Sequence, residues 1–232
     1  MPHAGTLIRE RPLALVLGIA LMVCAILVQE VLDLVPLAWF NASSGSRDLL
    51  GTPGYLGGFE IAHSILISLY LGLVAGICQE LLTLAGVRFI CQRAVVYFGL
   101  GFSVVDVLLL VVQSIPSFLS LNSYFLFVFT SNIAVEATLH PGSAALMKWS
   151  TFFSRARVLG ALLLCIILHA GIDGGLVFTD IFSITHRASA EMAGTLYLSV
   201  SVIISVALFA AVLAAAQCAR QFFEQASLIE HG

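Results

Sequence analysis

Four ionisable residues stand inside otherwise lipid-soluble stretches of the sequence: Glu80 in "LGLVAGICQELLTL", Asp106 in "VYFGLGFSVVDVLLL", and His169 and Asp173 in "LLLCIILHAGIDGGLVF". An ionised carboxylate at the centre of a membrane helix costs about 3 kcal/mol on insertion scales, so such residues face a cavity, a partner or a pathway. Carboxylates and an imidazole around a water molecule are the groups that general acid–base hydrolysis requires. Gln79, beside Glu80, can donate and accept hydrogen bonds but cannot act as a base.

Depth and helical phase both predict that these residues meet. At 1.5 Å per residue, Glu80 lies about 12 Å from Arg88, Asp106 about 20 Å from Arg93 and His169 about 18 Å from Arg157. With the arginines marking one membrane surface, the three fall within about 8 Å of one another in depth. Gly72, Gly76 and Glu80 follow at i, i+4 and i+8, a small-residue stripe that admits a neighbouring helix and turns Glu80 toward protein. Gly99, Phe102, Ser103 and Asp106 share one helix face, as do Cys165, His169 and Asp173, with a Gly171/Gly175 GxxxG on the opposite side. His169 and Asp173 at i, i+4 could share an ion with Glu80 and Asp106, but one deep histidine without a cysteine pair is poor zinc geometry, so no metal site is predicted and the cofactor is unknown. His63 belongs to the outer rim, and His140 and His186 read as solvated loop residues.

The elements that carry these residues are membrane helices. Sixty per cent of the 232 residues are hydrophobic and only 10% charged, against about 25% charged in soluble domains, and mean hydropathy is +1.06. The apolar residues come in runs long enough to cross a bilayer, which takes about 20 residues as a helix. The prediction is an all-α, polytopic transmembrane bundle forming one membrane domain over 1–232, with about six spans: 12–34, 59–83, 93–115, 118–139, 157–179 and 192–219. The fourth is the weakest, because it holds Asn122, Asn132 and Glu136; without it five spans remain. Lys and Arg collect in cytoplasmic loops. Six spans put Arg9, Arg11, Arg88, Arg93, Lys148, Arg155, Arg157 and Arg220 on one side and only Arg47 and Arg187 on the other. Five spans would divide them evenly, so six spans with both termini cytoplasmic are preferred. Arg155 and Arg157 read as interfacial anchors.

The N-terminal "RERPLALVLGIALMVCAIL" is signal-like, but no small-x-small cleavage site precedes Glu30 and Asp33, which read as the outer interface of a retained helix. The sequon at Asn41 would then face outward. Five cysteines (Cys24, Cys78, Cys91, Cys165 and Cys218) without CxxC spacing read as buried small hydrophobes rather than a disulfide framework. The net charge of −3, with basic residues placed singly, carries no nucleic-acid signature. The expected surroundings are the lipid bilayer and a membrane-embedded peptide or membrane-protein partner.

"CQELLTLAGVRFI", "VYFGLGFSVVDVLLL" and "RARVLGALLLCIILHAGIDGGLVF" resemble the three core helices of the CAAX-protease superfamily, particularly its YhfC-type membrane peptidases, in order and spacing over about Ile77 to Phe178. Glu80 and His169 stand in register with family positions. Gln79 replaces the first of a Glu pair, Thr83 or Leu84 an Arg, Phe102 a His, and Asp106 a Glu. The resemblance implies a Glu-activated water attacking a peptide carbonyl, with His and polar neighbours stabilising the oxyanion. The chain is also similar to the Aph-type scaffold subunit of γ-secretase, which shares Gln-Glu, a "GL-x-F" and an "IIL-x-H". That likeness implies that Glu80 and His169 only hold helices together.

Three functions are therefore expected of the polar centre, Glu80, Asp106, His169, Asp173 and Gln79. The first is a divergent intramembrane peptidase acting on a membrane-embedded or prenylated peptide; the second is a non-catalytic membrane scaffold; the third is a small proton-coupled carrier. The charge asymmetry makes a topological prediction. A reporter fused after Gly232 is expected to be active on the cytoplasmic side, and activity on the opposite side would restore the five-span arrangement.

Overall fold

The computed structural model describes residues 8–44, 62–115, 123–185 and 187–230. They form an all-α bundle of six helices: α1 (Arg11–Ser44), α2 (Ser64–Val87), α3 (Val95–Ser114), α4 (Ser123–Ser150), α5 (Arg155–Thr185) and α6 (Arg187–Glu230). Five contain segments long and apolar enough to cross a membrane: Arg11–Pro36, Ser64–Val87, Val95–Ser114, Arg155–Thr179 and Met192–Leu213. Their outward faces are apolar at helical spacing, with Ile65, Leu69 and Leu73 exposed on α2 and Leu159, Leu163 and Ile167 on α5. Such a surface belongs in lipid rather than water, and the chain is a membrane-embedded helical bundle.

The weak fourth segment is a helix, but it differs from the expected 118–139 in extent. It continues through His140, Pro141 and Gly142 to Ser150. A proline removes one backbone donor and crowds the preceding turn, which makes "HPG" look like a stop; neighbouring helices permit such breaks inside membrane bundles. Here Gly99 of α3 is the permissive contact, since a Cβ on it would lie 2.7 Å from the His140 carbonyl oxygen and 2.8 Å from the Pro141 nitrogen. Rising positions on α3 meet falling positions on α4: Gly99 meets Pro141, and Ser103 donates to the Glu136 carbonyl at 2.6 Å. The two helices are therefore antiparallel, and α4 runs beside α3. Its polar side chains Ser131, His140, Ser143 and Ser150 are buried against protein, so lipid does not select for a fully apolar sequence there.

Glycines set the closest helix approaches. A Cβ on Gly72 would strike the Ala170 carbonyl oxygen, one on Gly76 would lie 2.8 Å from the Ile166 carbonyl oxygen, and one on Gly174 2.7 Å from that of Ser68. The predicted small-residue stripe on α2 thus packs against α5. The GxxxG prediction needs correction, because Gly171 has nothing within 4 Å of its Cβ position. Gly174 makes the contact to α2, and Gly175 meets the Tyr197 ring of α6, so α5 packs on both sides with different glycines.

One end of the bundle gathers the basic residues. Ile8 pairs with the α2–α3 turn, its N–H donating to the Phe89 carbonyl at 2.8 Å and its carbonyl accepting from Cys91 at 3.0 Å. Lys148, predicted in a loop, is buried and donates to the Val87 carbonyl at 3.0 Å, where a cation complements the C-terminal end of α2. Burial holds its ammonium below the ordinary lysine value. Arg11 lies 5.1 Å from the Tyr97 ring and Arg157 4.7 Å from the Phe153 ring, as expected of interfacial anchors. Helix α1 runs on to Ser44, so the Asn41 sequon begins within it. Among the four cysteines whose side chains are described, Cys78 and Cys165 are buried, Cys91 is intermediate, and Cys24 is exposed against expectation; His186 and the side chain of Cys218 lie outside what is described.

Gly72→Val is expected to lower stability in detergent by about 1–3 kcal/mol, because the overpacked helices α2 and α5 must separate. Gly160→Ala, where nothing lies within 4 Å, is expected to raise it by up to about 1 kcal/mol. Thermal unfolding of the two variants checks both signs.

Candidate functional site

Four helices contribute ionisable groups to one buried centre. His169 of α5 is 1% exposed, and its Nδ1 lies 2.9 Å from Oε1 of Glu80 on α2, which is fully buried. Where the Glu80 oxygen is the acceptor of this contact, the His169 proton sits on Nδ1 and Nε2 is left as an acceptor. That Nε2 lies 3.4 Å from Oδ2 of Asp173, one turn further along α5. The i, i+4 spacing read from the sequence places both side chains on the same face.

The second half of the centre corrects the sequence reading. His140 is not a solvated loop residue: it is 2% exposed, inside α4, with Nε2 2.6 Å from Oδ2 of Asp106 and 3.0 Å from Oε2 of Glu136. Its ring stands 5.1 Å from that of His169, centroid to centroid, and 5.6 Å from that of Phe102. Asp106 and His169 thus belong to one centre, but His140 connects them. A signal for it was present. Counted from Lys148, His140 lies about 12 Å deep and Glu136 about 18 Å deep, the depths found for Glu80 and His169. Ending the helix at 139 concealed the relation.

A cavity of about 420 Å³ opens beside this centre, lined by Asp106, Glu136, His169 and Asp173 together with Gln79 and with Gln29 and Glu30 of α1. Glu80 and His140 are not in its lining and stand behind His169, Asp106 and Glu136. The Gln79 amide donates to Oε1 of Gln29 at 3.3 Å, joining α1 to the polar layer. Glu30, read as an outer-interface residue, also lines the cavity. Asn132 lines it from α4. Apolar walls come from Ile26, Leu109, Val128 and Leu198, so the space combines a polar floor with apolar sides, the usual composition of a ligand pocket.

Three buried oxygens at the centre have no hydrogen-bond partner among the described residues: Oε1 of Gln79, Oε2 of Glu80 and Oε2 of Glu136. The last has a simple cause. One imidazole N–H of His140 cannot serve two carboxylates, and the shorter contact goes to Asp106. No protein-family model, curated protein or solved structure matches the chain.

His140→Ala would leave Asp106 and Glu136 facing each other without their shared donor. A loss of about 1–3 kcal/mol is expected, read by chemical unfolding in detergent. Wild-type stability in this variant would mean that the ring does not engage the two acids.

Proposed function

We propose that this chain is an intramembrane hydrolase, with a peptide bond of a membrane-embedded substrate as the bond cleaved. The observation that carries the reading is the cavity lined by His169, Asp173, Asp106 and Glu136 inside an apolar helical bundle. A polar pocket is costly at that depth unless it serves chemistry or transport. Its resemblance to the CAAX-protease-like pattern over Ile77–Phe178 supports peptide hydrolysis, and the imidazole of His140 beside Phe102 supplies a histidine where that pattern expects one.

The roles follow from which groups reach the cavity. Glu80 does not, so it is a positioning residue that orients His169 rather than the base that the resemblance implies. His169 Nε2 takes a proton from a cavity water while the water oxygen bonds to the substrate carbonyl carbon. The tetrahedral intermediate then expels the amine, breaking the C–N bond, and His169 returns the proton to the leaving nitrogen. Carboxylate-held imidazoles perform this exchange in hydrolases of unrelated folds. Asp173 steadies the imidazolium formed in the first step. Both termini are assigned to the cytoplasmic side, on the basic residues gathered at one end of the bundle.

A second reading, the non-catalytic scaffold, draws on the complete burial of Glu80 and His169 across the α2–α5 contact. Glu80→Gln separates the two. Its amide can donate to Nδ1 and favour the wrong tautomer, so a hydrolase is expected to lose about 10²–10⁴-fold in cleavage rate while its melting temperature stays within a few degrees. Release of a fluorescent fragment from membrane-anchored peptides is the assay. A Glu80→Gln protein that cleaves at the wild-type rate ends the mechanism, and cleavage by neither protein favours the scaffold.

A further inference from the structure

We infer that Asp106, Glu136 and His140 form a binding site for one divalent transition-metal ion of the zinc class. The sequence reading predicted no metal because it counted one deep histidine. The structure supplies a second, and it converges with two carboxylates from different helices.

Geometry is the first argument. One ligand atom from each of the three residues lies within 4.8 Å of the others. His140 Nε2 is 2.6 Å from Asp106 Oδ2 and 3.0 Å from Glu136 Oε2. Zinc bonds of about 2.0–2.1 Å at tetrahedral angles hold ligand atoms about 3.3 Å apart, so each carboxylate need draw back from His140 by less than about 1 Å to admit an ion. Glu136 and His140 are one helical turn apart on α4, which sends both side chains the same way, and the antiparallel α3 brings Asp106 opposite them.

The second argument is an unmet bonding capacity. Glu136 Oε2 is buried and accepts no hydrogen bond among the described residues, although it points at a nitrogen 3.0 Å away. A cation at the focus of the triad bonds to all three atoms at once, whereas a single proton on Nε2 satisfies one of two acids. Charge leads to the same conclusion. Four carboxylates (Glu80, Asp106, Glu136 and Asp173) surround two imidazoles, and among the described residues the cavity lining contains no Lys or Arg. Two positive charges at the triad balance part of that excess where the low-dielectric surroundings make it costly.

Three protein ligands leave the fourth position of a tetrahedral ion open, the arrangement of catalytic zinc. Asp106 and Glu136 line the cavity, so that position faces the space beside His169. The catalytic consequence rests on the hydrolase reading: the ion would polarise the carbonyl that the water attacks, an electrophile that the His169–Glu80 pair does not provide. The binding itself does not depend on that reading.

The test uses the full-length chain in detergent, stripped with chelator and titrated with Zn²⁺, or with Co²⁺ for its visible spectrum. One ion per chain is expected, with the intense d–d bands of a four-coordinate site and a zinc-dependent rise in melting temperature. Asp106→Asn and Glu136→Gln keep side-chain volume. Each is expected to weaken binding by about 100-fold or more, since loss of even an outer hydrogen-bond partner of a metal ligand costs about 10–100-fold. Glu30→Gln, at the cavity wall outside the triad, should bind as wild type. Should a variant unfold, the wild-type spectrum and stoichiometry still decide. No ion bound by wild type at micromolar zinc, or binding at wild-type affinity by both Asp106→Asn and Glu136→Gln, overturns the site. Zinc binding as expected with no cleavage of any substrate upholds the site against the hydrolase reading; cleavage by stripped protein that binds no zinc does the reverse.

Discussion

The contact between Glu80 and His169 constrains the rest of the bundle. A carboxylate with no exposure inside hydrocarbon-facing helices needs a hydrogen-bonding partner within about 3 Å, and His169 provides one at 2.9 Å. Side chains of this length meet only if the backbones of α2 and α5 come close. Gly72, Gly76 and Gly174 allow that approach, each standing where a Cβ would collide with the facing backbone. The polar pair and the glycine stripe are therefore one feature: the glycines would be weak packing residues without the pair, and the pair could not form without the glycines.

From that contact the layer extends outward in a fixed order. His169 lies beside His140 with the ring planes tilted, His140 holds Asp106 and Glu136, and Ser103 ties the backbone of α4 to α3. Helix α4 is the costly member of the bundle, carrying a proline, buried serines and a histidine along its length. It is stable because other helices shield it from lipid, and Gly99 makes room for it against α3. Gly18 and Gly101 do the same between α1 and α3. The apolar core of Phe98, Phe102, Met22 and Met147 fills the basic end, below the polar layer. Packing is thus dense on one side of the ionisable groups and open on the other, where the cavity lies.

What the sequence disclosed, and what it did not, divides along the same line. Apolar runs announce lipid-facing helices directly, so the five apolar spans were legible from hydropathy. The convergence of Glu80 with His169 was legible too, because depth and helical phase are linear counts along single helices. Helix α4 follows neither rule. Its environment is other protein, so its composition carries no lipid signal, and "HPG" mimics a turn whose cost the neighbouring glycine of α3 removes. His140 was hidden by that boundary; Glu136 stood inside the expected span and counted there as a weakness of the span rather than as a member of the centre. The exchange of Gly171 for Gly174 has a similar origin: a GxxxG pattern states which residues are small, and only the crossing of α2 and α5 decides which of them is used.

The arrangement of the two histidines limits what the centre can do at once. Their rings are 5.1 Å apart, so two imidazolium charges would repel strongly in so dry a setting. The two sites therefore divide the roles: His169, flanked by Glu80 and Asp173, becomes positive only on taking up a proton, and the second focus, Asp106–Glu136–His140, is where a resident cation would sit. Only the first ring lines the cavity, and both acids at the second focus do. A substrate carbonyl entering between them would meet a proton acceptor on one side and a cation-binding focus on the other. On the hydrolase reading, that polarity, fixed by which groups reach the cavity and which stand behind it, is what would distinguish a reaction centre from four acids and two histidines that merely pin helices together.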